Sequence, residues 1–386
     1  MNFSVRHQGN VSEPRPSGSG ASTDVFVVGG GPAGLAAAIA ARRRGFDVTL
    51  ADCSIPPIDK ACGEGIMPDG LAAARSLGID FAIPGAHPFR GIRFCGRGES
   101  VAACFPHGVA LGVRRTTLHQ VLLDRAAEAG VRMIWGARIT GIEADAVHID
   151  GRRAPARWIV GADGGRSLVR RWANLNAAAR DTRRFAFRRH YAIAPWSEYM
   201  EIHWGEAGQL YLTPVGAREL CVVLISRDQH LRLDDALPAF PAIAARLKNV
   251  PLSSAERGAI SASRSLESVC RGNVALIGDA SGSVDAITGE GLCLLFQQAA
   301  ALADALAAGD LAPYQAAHNR IVRRARLMGR LLLLLDRYPL VRWRTLRAMA
   351  SHRHLFSGML AMHVGELSPL ESVSNGLALG WHFLTI

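Results

Sequence analysis

The run Gly29-Gly30-Gly31-Pro32-Ala33-Gly34 constrains this chain more than any other stretch. It has the spacing GxGxxG, follows the apolar run Asp24 to Val28 and opens an alanine-rich segment from Pro32 to Arg44. The apolar run reads as a buried parallel strand. The alanine-rich segment reads as a helix whose basic end suits the negative pole of its dipole. In such a unit Gly29 permits the tight turn, Gly31 lets the backbone approach phosphates, and Gly34 lets helix and strand pack closely. The free N–H groups of the first helical turn, at Ala33 and Gly34, then face an anion. Phe46 to Ala51 alternates like a second strand, which completes a βαβ unit of about thirty residues. Asp52 closes that strand eighteen positions after Gly34. A carboxylate there can accept hydrogen bonds from ribose hydroxyls. A glycine-rich turn with a solvated Asp is the plainer reading, but strand, helix and Asp52 together favour a dinucleotide site.

Two further loops repeat the logic. One is Gly161-Ala162-Asp163-Gly164-Gly165-Arg166-Ser167-Leu168-Val169-Arg170. The other is Gly278-Asp279-Ala280-Ser281-Gly282-Ser283, continuing to Thr288-Gly289-Glu290-Gly291-Leu292. It follows the apolar run Val274 to Ile277 and feeds a long helix from about Gly291 to Ala308. Such a loop can place N–H groups against an anion, and Asp279 could hydrogen-bond a polyol chain.

Between about 180 and 226 the texture changes to short β-branched and aromatic runs: Tyr191–Ala194, Met200–Trp204, Gln209–Thr213 and Leu220–Ile225. They predict an antiparallel sheet in a second domain, to which residues 86–106 can add strands. The expected division is a leader at 1–22 and a discontinuous nucleotide domain at 23–85, 107–178 and 265–312. A sheet domain takes 86–106 and 179–264, and C-terminal helices take 313–386, broken at Pro339 and Gly365. The fold class expected is α/β.

The net charge of +11 comes almost wholly from arginine. The arginines read as scattered, with no compact basic tract carrying interleaved aromatics, so a nucleic-acid partner is not expected. Seven cysteines without CxxC spacing point to a reduced, cytoplasmic protein with no disulfide framework and no metal site.

Taken together, the three loops resemble those of the FAD-dependent monooxygenase and geranylgeranyl reductase superfamily, whose fold is like that of para-hydroxybenzoate hydroxylase. The resemblance covers roughly residues 23–310. It implies a Rossmann-type FAD-binding domain, an antiparallel sheet roofing the substrate pocket, and NADH or NADPH as reductant. It implies that the GxGxxG turn meets the FAD pyrophosphate and that Asp163 to Arg170 and Gly278–Asp279 are the family's DG and GD motifs. Arg115, in Arg115-Thr116-Thr117-Leu118, is similar to a family arginine near the FAD phosphates, and a backbone contact to adenine would fall near Ile139. Lys60-Ala61-Cys62-Gly63-Glu64-Gly65 resembles the cysteine-glycine segment of the reductases, as does Thr288-Gly289-Glu290-Gly291 their loop after the GD motif. Ala286 stands where hydroxylases usually carry a proline. The aromatic substrate segment of the prenyl reductases is absent, with Tyr211-Leu212-Thr213-Pro214-Val215-Gly216 in its place.

Among single residues, Cys62 is either a thiol at the flavin or a small core residue. Glu64 and Glu290 are candidate proton carriers, although glutamates in glycine-rich loops are usually solvated. His190, His203 and His230 read as surface or packing residues. Tyr191, Trp196, Trp204 and Tyr211 line either a pocket or a core. Leu331 to Leu335 and the basic segment after it read first as a helical pack covering the FAD domain. The alternative is peripheral docking on an anionic membrane. The sequence thus points to an NAD(P)H-using monooxygenase of an apolar or aromatic small molecule. A reductase of a carbon–carbon double bond and a non-catalytic flavin sensor are the alternatives, and the oligomeric state is left open.

Overall fold

The computed structural model describes residues 23–175, 183–367 and 369–385; the expected leader lies outside them. The strand Thr23–Val28 (β1) sits mid-sheet, with Val48–Asp52 (β2) on one side and Arg152–Gly161 (β11) on the other. Arg132–Trp135 (β8) continues the sheet beyond β2, and Val274–Leu276 (β18) continues it beyond β11. These pairings are all parallel; Cys270–Arg271 (β17) adds an antiparallel edge. The first half of β11 also pairs with Ala146–Ile149 (β10), which pairs with Ile139–Ile142 (β9). Val25 to Val28 are all buried, as a parallel strand covered on both faces requires.

The covering helices are Pro32–Arg43 (α1), Arg115–Glu128 (α3) and Gly291–Ala308 (α7), with Pro68–Ser76 (α2) against α7. Alanine suits α1 because it packs at close range, and Gly34 through Ala41 are all buried. The core helix α7 is, among the described residues, the one helix long and apolar enough to cross a membrane, and most of it is buried in the protein.

The second sheet runs Arg257–Ala262 (β16), Arg183–Tyr191 (β12), Glu219–Ser226 (β15), Gln209–Gly216 (β14), Tyr199–Trp204 (β13), Gly91–Gly96 (β5) and Glu99–Cys104 (β6). Its pairings are antiparallel except β13 with β5, which lie parallel because a long excursion through the first domain separates them. Strand alternation gives this sheet two apolar faces. Leu220, Val222 and Leu224 pack under the short helices Leu233–Ala236 (α5) and Pro241–Leu247 (α6). Cys221, Val223 and Ile225 face the opposite way, into the core shared with the C-terminal helices. The strand expected at Tyr191–Ala194 lies upstream, at β12. Its central residues include Arg184, Arg188, Arg189 and His190, which hide it from an apolar reading.

A small sheet of Gly65–Ile66 (β3), Ala110–Gly112 (β7) and His87–Phe89 (β4) joins the two large ones. Leu168–Trp172 (α4) follows β11. The chain ends in Ala312–Arg337 (α8), Pro339–Ser351 (α9), Arg353–His363 (α10) and Pro369–Thr385 (α11). These last helices do not chiefly cover the nucleotide domain, as the leucine run had suggested. Leu332, Leu335, Leu346, Phe356 and Leu360 pack with Phe94, Trp204 and Ile225 of the second sheet. Only the start of α8 meets the first core, where the Tyr314 hydroxyl donates to the Leu276 carbonyl at 2.8 Å.

Candidate functional site: a dinucleotide cavity and two buried polar clusters

At the carboxyl end of β1 the glycines are fixed by close approach. A Cβ on Gly34 would lie 1.8 Å from the Gly29 carbonyl oxygen, and one on Gly29, at φ +114°, 2.5 Å from the Ala162 oxygen. Gly31 differs: a Cβ there meets nothing within 4 Å. It faces a cavity of about 840 Å³. Gly30, to which the sequence assigned nothing, is held by Trp135, whose ring would lie 2.2 Å from an added Cβ. The Gly30 N–H donates to Asp52 Oδ2 at 2.6 Å, and Ser54 N–H to Asp52 Oδ1 at 2.7 Å. His119 locks the turn from behind. Its Nδ1 accepts from Ile58 N–H at 3.4 Å, so Nε2 carries the proton given to the Gly30 carbonyl at 2.8 Å. Burial holds this imidazole below its ordinary range, in keeping with the neutral ring.

The cavity gathers the sequence candidates from distant segments. Gly29, Gly31, Ala33 and Asp52 line it from the first βαβ unit, and Lys60, Cys62 and Arg115 from the next stretch. Ile139, Asp163, Gly278, Asp279, Gly291 and Leu292 complete the set. Gly34 packs behind the turn, and Gly289, at φ +68°, ends the short turn Ala286–Thr288; neither lines the cavity. Glu64 and Glu290 do not line it either.

The polar groups of the lining fit a dianionic ligand. Arg115 is 5% exposed, its Nη1 is buried without a partner, and burial works against its charge. An anion would relieve both. The first turn of α1 contains no acidic residue and no side-chain cap, which leaves its N–H groups for a ligand. Asp163 Oδ2 caps α4 through Leu168 N–H at 2.6 Å and Val169 N–H at 3.1 Å, while its Oδ1 is buried and unpartnered. Lys60 Nζ lies 3.3 Å from Asp279 Oδ2 at the cavity edge. Arg264 and Arg326 add positive charge to the lining.

Behind Cys62 lies a cluster whose carboxylate the sequence misplaced. Glu64 was expected in solvent and is 1% exposed; His190, read as a surface or packing residue, is packed at 0% exposure. Glu64 sits at φ +59°, and its Oε1 accepts from Arg115 N–H at 2.9 Å. Its Oε2 lies 2.6 Å from His190 Nε2. Arg188, which can only donate, lies with Nη1 3.1 Å from His190 Nδ1. Nδ1 therefore accepts, and Nε2–H donates to Glu64. The Ser254 hydroxyl lies 2.7 Å from the same Nδ1, and Arg188 is also bound to Asp59. Burial pushes the Cys62 thiol up, so Cys62 stands as a neutral thiol. Cys221 shares the cluster with Glu64 and His190, with ligand-type atoms within 4.8 Å of one another.

Glu290 occupies a second buried cluster, again against the expectation of solvent. It lies at 2% exposure immediately before α7. Oε1 is 3.7 Å from Arg324 Nη2, and Oε2 is 3.8 Å from His363 Nδ1 on α10. Neither Oε2 nor Nδ1 has a hydrogen-bond partner. Burial pushes the Glu290 carboxyl up to about 8 and His363 down to about 4.

None of the aromatic candidates lines this cavity. The Tyr211 hydroxyl donates to the Ile287 carbonyl at 2.8 Å, Trp204 packs on Phe94, and Tyr191 belongs to the core under α5 and α6. Trp196 donates to Glu201 at 3.2 Å.

This geometry agrees with what comparison with known proteins finds. Residues 22–310 match the family described as FAD binding domain. The menaquinone reductase of Mycobacterium tuberculosis is 29% identical over 333 residues, covering 75% of this chain and 78% of that protein. The rifampicin monooxygenase of Rhodococcus hoagii is 32% identical over 159 residues, covering 39% of this chain and 33% of its own. A flavoprotein/dehydrogenase from Cytophaga hutchinsonii superposes with TM-score 0.80 at 17% identity, covering 94% and 98% of the two chains. The chain belongs to the FAD-binding-domain family and has the para-hydroxybenzoate hydroxylase-like fold that the resemblance implied. It is an enzyme, an FAD-dependent oxidoreductase.

Proposed function

We propose that this enzyme is an NAD(P)H-reduced monooxygenase that hydroxylates or epoxidises an apolar or aromatic small molecule in the cytoplasm. The observation that carries the reading is the composition of the cavity. One set of lining groups is polar: the turn at Gly31 and Arg115 suit an anion, and Asp163 suits a hydroxyl donor. Another is apolar, with Val284, Leu292, Leu294, Leu295 and Val322. A site of this kind holds a dinucleotide by its phosphates and excludes water from its reactive end.

In this reading the α1 N-terminus and Arg115 take the pyrophosphate, Asp52 the ribose, and Ile139 the adenine. Asp163 and Asp279 accept hydroxyl donors, and the backbone of Gly291 and Leu292 borders the flavin ring. FAD, when bound, supplies the two-electron redox chemistry. The chain's own work is positional. Glu64 and His190 hold the Cys62 loop against β12, and the protonated Glu290 closes the start of α7 without placing a charge there.

A reductase reading is favoured by one observation: the similarity to the menaquinone reductase runs through three quarters of this chain. Turnover under labelled dioxygen decides between them. Incorporation of one labelled oxygen atom into product is expected. Product formed at undiminished rate without oxygen, and carrying no label, overturns the oxygenase in favour of the reductase. Reduction of bound flavin by neither NADH nor NADPH overturns the choice of reductant.

A further inference from the structure

Residues 312–363 contain ten arginines against one acid, Asp336, so although the arginines are scattered along the chain most of its net positive charge lies here. Helix α8 sorts them by face. His318, Val322 and Arg326 line the FAD cavity, and Met328, Leu332 and Leu335 enter the second core. The water-facing side carries Arg320, Arg323, Leu327, Arg330, Leu331, Leu334 and Arg337. Their spacing of three and four places them on one stripe of the helix. Leu327 is 51% exposed, Leu331 42% and Leu334 46%, and the stripe runs on to Tyr338 and Leu340, at 46% and 60%. Helix α11 adds Leu377 and Trp381, one turn apart and 71% and 67% exposed.

Leucines standing in water among arginines are costly to leave uncovered, and a surface patch of this kind marks an interface. We propose that the outer face of α8, with Tyr338 and Leu340, docks on an anionic lipid bilayer. The charge argues for the occupant. Arginine side chains lie along an apolar surface and keep their heads at the phosphate level, while leucine and tyrosine enter the acyl boundary. Each arginine near an anionic leaflet adds to the attraction, and here no carboxylate shares the stripe. A nucleic acid would use the same charge but leaves the exposed leucines unburied, and a second copy of the chain would bring its own arginines against these. Because the inner face of α8 lines the FAD cavity, docking would put that cavity one helix away from the lipid. The docking itself does not depend on which reaction the flavin performs.

Co-sedimentation of the FAD-loaded enzyme with vesicles tests the proposal. Binding is expected to vesicles of mixed phosphatidylglycerol and phosphatidylcholine, to fall steeply with added salt, and to be absent with phosphatidylcholine alone. Arg323→Glu with Arg330→Glu should weaken binding by at least about tenfold. Leu331→Ser with Leu334→Ser should do so without altering the salt dependence. Both variants should keep the flavin spectrum and melting temperature of the parent, since the four side chains face solvent. Failure of the parent enzyme to sediment with anionic vesicles overturns the proposal. So does parental binding by both variants, and so does a parent whose mass in solution is a dimer that the leucine variant returns to monomer. Retention on random-sequence DNA more strongly than on anionic vesicles assigns the face to nucleic acid instead.

Discussion

Glu64 Oε2 and His190 Nε2 lie 2.6 Å apart, joining the loop that carries Cys62 to the middle of the second sheet. The contact is buried, and Arg188 sets its polarity by occupying the far nitrogen of the imidazole. Removing one partner strands the other without water. Glu64→Ala is therefore expected to lower the unfolding free energy by about 3 kcal/mol or more, whereas His190→Gln, which keeps a donor, should cost less. Denaturant melts of the FAD-free proteins check this. An E64A protein as stable as its parent would remove the pair from the structural account.

Gly31 and Gly34 separate cofactor binding from folding. A methyl group at Gly34 collides with backbone, so Gly34→Ala should destabilise the FAD-free protein by about 1–3 kcal/mol. At Gly31 a methyl group meets only the cavity. Gly31→Ala should melt like the parent without FAD, yet bind FAD at least about tenfold more weakly, ~1.4 kcal/mol. Fluorescence quenching of added FAD, set beside the melts, reads both. Equal FAD affinity in Gly31→Ala would mean the pyrophosphate does not cross this turn.

Arg115 carries a buried guanidinium nitrogen with no partner in the protein. A charge-assisted hydrogen bond to phosphate is worth about 1.5–3 kcal/mol. Arg115→Met should thus raise the FAD dissociation constant by roughly ten- to a hundredfold. The same substitution relieves a buried cation, so the FAD-free protein should not lose stability. A Lys60→Ala change at the exposed cavity edge should matter much less. If Lys60→Ala weakens FAD more than Arg115→Met does, the phosphates lie at the Lys60 edge.

The first βαβ unit was legible because its signal is local. Gly29, Gly31, Gly34 and Asp52 act through backbone geometry that any chain of that spacing must adopt, and all but Gly34 border the cavity. The partner of Glu64 was not legible, since it lies 126 positions away on a strand whose charged residues mask its period. Arg184, Arg188 and His190 point to one side of the sheet, but Arg183 and Arg189 stand beside them, so the basic residues show no period of two. Glu290 was misjudged for a related reason. Glycine-rich surroundings suggest solvent, and only the return of α8 and α10 over the loop buries it. The fate of the inward leucines, Leu332, Leu333 and Leu335, also depended on tertiary partners, because helix amphipathicity states that a face is buried and not which sheet buries it.

The Glu290–His363 pair gives the protein a pH dependence with a definite sign. Glu290 holds its proton in the folded state up to about pH 8, whereas in the unfolded chain a glutamate releases it near its ordinary value of 4.5. Across that interval the folded state binds the extra proton, so this residue makes stability fall as pH rises. His363 behaves oppositely. Its folded value of about 4 lies below the unfolded 6.5, so across that interval the unfolded state binds the extra proton and stability rises with pH. The two slopes, each on the order of 1.4 kcal/mol per pH unit, offset one another between about 4.5 and 6.5. Above 6.5 only Glu290 is left, and stability should decline up to about pH 8. Glu290→Gln should abolish that decline and expose a rise between about 4 and 6.5 from His363. Melting temperatures from pH 5 to 9 for the parent and this variant measure both limbs. A parent whose melting temperature climbs from pH 6.5 to 8 while Glu290→Gln stays flat would reverse the sign and place a charged carboxylate at the start of α7.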